Sequence, residues 1–336
     1  MPINVIAYRG DRAACWYYRL HCPFGHLAMQ HQDEYHVTIS GRLDTTQIGK
    51  YDVVILQRQY KPDVFGPVVK MKEAGSKLIY EVDDDLFHIP EWNTAHTTLS
   101  AAGVQRGIRA FLELVDAVFV TTEALAAVYR KYCKKVYVLP NSLDLDFFTP
   151  SPRNSAKPVV CWQGSLTHSN DLKIMQDCFY KLGKNKDIML KMWCGFDKNN
   201  KPIFDIPGAY TIPLVTFESF YQMFSQMDGD VGLAPLTTVP FNRSKSNLKF
   251  LEYTMQGMVT VASDFGPYKD TIINNETGIL ISDNRDWYAA VMSVIEDKAY
   301  KNTLLKNAQA FVKEHFDMRK NYKLWKTAID EIVGGV

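Results

Sequence analysis

Twelve short apolar runs rich in β-branched residues, separated by longer stretches of helical periodicity, constrain this chain more than any other feature. Runs without in–out alternation need cover on both faces, which is the condition of a mainly parallel sheet wrapped by crossover helices. Six of them, at 3–8, 36–39, 53–56, 77–81, 117–120 and 136–139, predict a first α/β unit. Helical spacing fills 98–115 and 122–132, where Thr122 reads as an N-cap and Glu123 as a first-turn acid.

After Pro140 the periodicity dissolves in NSLDLDFFTPSPRNSAKP, so the chain leaves one core near 148–157 before entering another. Six further runs, at 159–162, 188–193, 209–213, 230–234, 259–262 and 278–281, predict a second α/β unit. From Asp286 onward the chain is helical, and Phe316, Tyr322, Trp325, Ile329 and Ile332 share one face near its end. The expected layout is a first Rossmann-like domain over 1–150, a second over 151–315, and a closing helix over 316–336. That helix packs on its own domain or crosses back to the first.

Length and composition agree with two packed cores: 336 residues, 46% hydrophobic and 12% aromatic. Net charge is only +1, so no overall field draws the chain to nucleic acid or an anionic membrane. Cys15, Cys22, Cys133, Cys161, Cys178 and Cys194 show neither a CxxC pair nor zinc spacing, which fits reduced thiols in the cytoplasm. No leader and no apolar run long enough to span a membrane is visible, while peripheral membrane contact stays compatible with the sequence.

Chemistry concentrates in a few segments. In Ser244-Lys245-Ser246-Asn247-Leu248-Lys249, Ser246 is a good N-cap for a helix starting at about Asn247. Unpaired N–H groups there, with Arg243, Lys245 and Lys249, suit a diphosphate; a solvated basic helix start is the plainer reading. In Cys161-Trp162-Gln163-Gly164-Ser165-Leu166-Thr167-His168, a strand enters a turn where Gly164 admits a close ligand and Ser165 and His168 offer donors. Glu81, Asp83, Asp84, Asp85 and His88 gather at a strand's C-terminal end, where open α/β sheets bind ligands. Gly10 and Arg19 follow the first strand, and the Cys15-Trp16-Tyr17-Tyr18 aromatics read as core.

Taken in order, VFVTTEAL, VLPNSLDLDFF, VVCWQGSLTH, DVGLAPL, KSNLKFLEYTMQGMVTVAS and NNETGILI resemble a GT-B glycosyltransferase of the family 4 kind, in register from about Val118 to Ile281. The resemblance implies two facing Rossmann-like domains. It implies a nucleoside-diphosphate sugar held mainly by the second, transfer with retention, and no essential metal or other cofactor. The family's E-x7-E pattern places its ribose-binding glutamate on Glu252, whereas its sugar-binding glutamate falls on Ser244. The sugar is then expected on Ser244, Asn242 or the backbone amides of Lys245 to Leu248, Ser246 and Asn247 included. The family's arginine at the Gly-Ser turn is also missing, so His168, Lys245 and Lys249 are the expected diphosphate ligands and catalytic groups. Acceptor contacts fall to Gly10, Arg19, Asp83, Asp84 and His88. The acceptor class stays open among glycan, lipid-linked glycan, small molecule, protein and modified DNA. A nucleotide-sugar epimerase, a phosphorylase, and a non-catalytic scaffold that has kept the fold are the alternatives.

Overall fold

A computed structural model of the chain describes residues 1–148, 155–199, 201–216 and 219–334. All twelve predicted strands form. In the first domain they are β1 (Ile3–Tyr8), β2 (Tyr35–Ser40), β3 (Val53–Gln57), β4 (Lys77–Glu81), β5 (Ala117–Val120) and β6 (Val136–Val138). They pair in the order β2-β1-β3-β4-β5-β6, every pair parallel. The second domain holds β7 (Val159–Gln163), β8 (Met189–Trp193), β9 (Ala209–Ile212), β10 (Val231–Ala234), β11 (Val259–Ser263) and β12 (Ile279–Ile281). Their order is β12-β11-β10-β7-β8-β9, again parallel throughout. In each sheet the direction of winding reverses once, between β1 and β3 and between β7 and β10. Crevices for ligands open at such points.

Burial on both faces explains why these strands are visible in the sequence: every residue of β3, β5, β10 and β11 is buried. One apolar cluster lies on the outer face of each sheet, and a third joins the inner faces of both with the C-terminal helix. All six cysteines are free. Among the described residues no helix is long and apolar enough to cross a membrane.

Helix α1 (Cys22–Gln30) is entered through a wider π-turn over Tyr17–His21, which buries Tyr17, Tyr18, Arg19 and Leu20 in succession. The helix expected over 98–115 is shorter, α2 (Ala102–Leu114), because Gln105 Nε2 donates to the carbonyls of Leu86 and Leu99 and ends a separate turn over His96–Leu99. Thr122 caps α3 (Glu123–Tyr129) as expected, its Oγ1 accepting from the Leu125 N–H.

Helix α4 (Leu248–Met255) begins one residue later than expected, and Ser246 does not cap it. The Ser246 hydroxyl instead accepts from Asn141 Nδ2 of the other domain at 3.0 Å. The terminal helix α5 (Met318–Gly334) crosses back to the first domain and packs on α1. Tyr322 stacks on His26, Lys326 pairs with Glu34 at 2.9 Å, and Trp325 lies under the Arg19 guanidinium. At the crossing, Leu143 and Phe316–Met318 exchange backbone hydrogen bonds, so both passages between the domains run side by side. The expected division at 150/151 falls on residues 149–154, outside the described residues.

Candidate active site

A cavity of about 360 Å³ opens between the two reversal points. Its second-domain wall is the turn after β7 and the start of α4, contributing Gln163, Gly164, Ser165, His168, Lys245, Ser246, Leu248, Lys249 and Glu252. Asp83, Asp84, Tyr18 and Asn141 face them from the first domain. Gly164 has no room for a side chain, since a Cβ there would sit 2.6 Å from the Trp162 ring and 3.1 Å from His168.

Glu252 is almost fully buried. Tyr18 Oη donates to its Oε1 at 2.7 Å and Gln163 Nε2 to its Oε2. Burial pushes the carboxyl up to about 7, against the pull of Tyr18, Lys249 and Gln163. Burial and neighbouring Lys245 bring Lys249 down to about 8. Lys249 Nζ donates to His168 Nε2 at 3.2 Å, and His168 Nδ1 meets Asp171 Oδ2 at 2.9 Å. Burial, then Lys249 and Lys245, drive His168 down to about 3, so the imidazole is neutral. Burial alone would raise Asp171, but His168 and the Thr237 donors hold it below its ordinary value.

Across the cavity, burial raises Asp84 while Lys245, facing it, pulls the other way. Asp83 Oδ1 has no hydrogen-bond partner, and Arg58 Nη1 stands 3.8 Å from it. Asp85 turns away to the N–H groups of Phe87 and His88 and to His88 Nδ1 at 2.7 Å, so the three aspartates do not converge on one point. Among the described residues, one group has mixed metal-ligand types within 4.8 Å, Cys22, His26 and Asp144, and none of these lines the cavity.

Several expected residues stand elsewhere. Arg19 is fully buried, paired with Glu81 at 2.6 Å and donating to the carbonyl of Leu139 and to Asn141 Oδ1; it is a core ion pair and cannot meet an acceptor. Gly10 gives its N–H to Gln57 Oε1, and His88 is held by Asp85 outside the cavity. Asn242 is buried against Asp171 and Thr237. Ser244 is buried, its carbonyl accepting from Thr122 Oγ1, and Asn247 reaches Thr271 Oγ1. None of these three lines the cavity. Arg243 pairs with Asp270 at 2.5 Å. His168 lines the cavity, but its Nε2 accepts from Lys249 and offers no proton to a phosphate.

Tyr18, Asn141 and Gln163 were missed as site residues. Gln163 and Asn141 belong to recognisable segments, WQGS and LPNS, but their hydrogen-bond partners lie 89 and 105 residues away. Tyr18 is core by burial, as its aromatic surroundings predict, with only its hydroxyl reaching the site.

No family model and no curated protein matches the sequence. Solved structures match the fold over its whole length. Sucrose-phosphate synthase of Thermosynechococcus elongatus aligns over 100% of both chains with a TM-score of 0.68 and 15% identity. HepE of Anabaena, solved with UDP, aligns over 98% of this chain and 100% of its own, with a TM-score of 0.70 and 12% identity. A glycosyltransferase of Rickettsia africae covers 100% of both chains at a TM-score of 0.66 and 11% identity. The fold is the two-domain GT-B fold of these glycosyltransferases.

Proposed function

We propose that the protein is a retaining glycosyltransferase that moves a sugar from a nucleoside-diphosphate donor to an acceptor hydroxyl without a metal ion. One observation carries this reading: a buried carboxylate, Glu252, stands one helical turn from Lys249, with Lys245 on the approach to the same helix, at a cavity whose opposite wall presents Asp83 and Asp84. Glu252 suits a ribose diol, and the lysines suit a diphosphate. The barrier in such a transfer lies in separating an oxocarbenium-like sugar from its leaving phosphate, and cations placed beforehand lower it.

HepE, solved with UDP and with UDP-glucose, supports a uridine nucleotide as donor. With Ser244 and Asn242 turned inward, Ser165, Ser246 and the Tyr268 phenol are the second-domain hydroxyls left to meet the sugar. Ribose hydroxyls would take the place of Tyr18 on Glu252, so donor binding exchanges a contact between the domains for one with the ligand. Six free thiols fit a cytoplasmic setting. A panel of nucleotide sugars, scored first by thermal stabilisation and then by donor consumption with and without acceptor hydroxyls, tests the reading. A donor that binds and is never consumed would make the protein a sugar-nucleotide binder. Conversion of the donor's sugar to its epimer would make it an epimerase.

A further inference from the structure

Asp171 does not line the cavity, yet it is buried and fully engaged. Its Oδ1 accepts from the Thr237 N–H at 2.9 Å, Thr237 Oγ1 at 2.8 Å and Asn242 Nδ2 at 2.8 Å. Only Oδ2 is left for His168 Nδ1. On the far side of the imidazole stands Lys249 Nζ, a group that only donates. A chain with an acceptor-only carboxylate at one end and a donor-only ammonium at the other has one polarity: the imidazole proton sits on Nδ1 and the bare Nε2 accepts from Lys249. The ring itself is fixed by Trp162, edge-on at 6.2 Å, and by the tight fit at Gly164.

We propose that Asp171 is a positioning residue that sets the tautomer of His168, so that a neutral acceptor anchors the Lys249 ammonium at the cavity wall. The device has a physical point. A carboxylate bonded directly to Lys249 would hold it equally well and cancel much of its charge, whereas an interposed neutral imidazole fixes the ammonium and leaves its charge for an anion. The value of this to a diphosphate rests on the donor-site reading above; the polarity of the chain does not.

Asp171→Asn separates the two. The three donors on Oδ1 would keep the amide oxygen there and turn the amide nitrogen toward His168. Nδ1 must then accept, the ring proton moves to Nε2, and an N–H points at Lys249. Nitrogen NMR of histidine-labelled protein near neutral pH, with His168→Gln to assign the signal, reads the tautomer directly. The expected result is an Nδ1–H tautomer in the wild type and an Nε2–H tautomer in Asp171→Asn, with melting temperatures within a few degrees of one another. Affinity for inorganic pyrophosphate should fall about tenfold in Asp171→Asn and in Lys249→Gln alike. The wild-type signal needs no variant: an Nε2–H tautomer or an imidazolium there overturns the proposal. So does an inverted tautomer with pyrophosphate affinity unchanged. A wild type that binds no pyrophosphate would remove the donor reading and the role of Lys249 with it, while the nitrogen signals still uphold or overturn the chain's polarity.

Discussion

Glu252→Gln should make the protein more stable at alkaline pH while removing its affinity for nucleotide. The buried carboxyl is raised from an ordinary 4.5 to about 7. Between those values the folded chain keeps a proton that the unfolded chain has lost, so stability falls as pH rises through this window. Above it the full penalty stands, about 3 kcal/mol at roughly 1.4 kcal/mol per pH unit. An amide of the same shape carries no such penalty. It keeps the Tyr18 hydrogen bond, and the Gln163 amide need only turn over to accept from the new nitrogen. The offset is Lys249, which loses an attractive neighbour. The net gain at about pH 8 is then on the order of 1–3 kcal/mol, or several degrees in melting temperature for a domain of this size. Below about pH 4.5 the two proteins should melt together or the wild type slightly higher. Thermal melts at both pH values, paired with calorimetry of nucleoside diphosphate binding, make the measurement. An equal or lower melting temperature for the variant at alkaline pH, or the same difference at both, would refute the reasoning.

Three further outcomes are expected. Arg19→Met strands the Glu81 carboxylate and the Leu139 carbonyl in the core, so chemical denaturation should show a loss of about 3–5 kcal/mol. Asp83→Ala should raise the Michaelis constant for the acceptor while leaving nucleotide affinity within about twofold, because its carboxylate faces the cavity from the first domain and the residues proposed to hold the nucleotide lie in the second. Asp84 is the poorer choice for that experiment, since it faces Lys245. Transfer assayed after exhaustive chelation should continue at its full rate, the proposed role of the lysines being to serve the leaving phosphate; loss with rescue by manganese or magnesium would point to Asp83 and Asp84 as metal ligands instead.

The sheets were legible because a strand buried on both faces writes its own β-branched run, whatever its partners. The second-domain wall of the cavity was legible for a similar reason: Gly164 and His168 lie within one turn of chain, and Lys245, Lys249 and Glu252 on one short helix and its approach. Misreadings arose where a distant group outbid a local one. Ser246 would cap α4 on its own, but Asn141 donates to its hydroxyl from 105 residues away. Arg19 would be an exposed cation, but the π-turn turns it inward to Glu81, 62 residues on. Asn242 sits beside the basic segment in sequence and is drawn into Asp171. The amphipathic face of α5 was visible, yet a stripe of apolar residues does not say which surface it covers.

The return of α5 to α1 also bears on how the chain is made. The first sheet is complete at Val138, but Tyr18, Leu27 and Tyr35 share a core cluster with Tyr322, Trp325, Ile329 and Ile332. Their neighbours on α5 are synthesised only after every strand of the second domain. At roughly 5–20 residues per second, the face of α1 waits a further ten to forty seconds or so after the sheet is complete for its cover. During that time an apolar strip flanked by Arg19, whose guanidinium will lie over Trp325, is open to solvent. A chain released short of α5 would therefore lose more than that helix. Its first domain would keep every strand and lack one layer, a species suited to capture by chaperones and to aggregation.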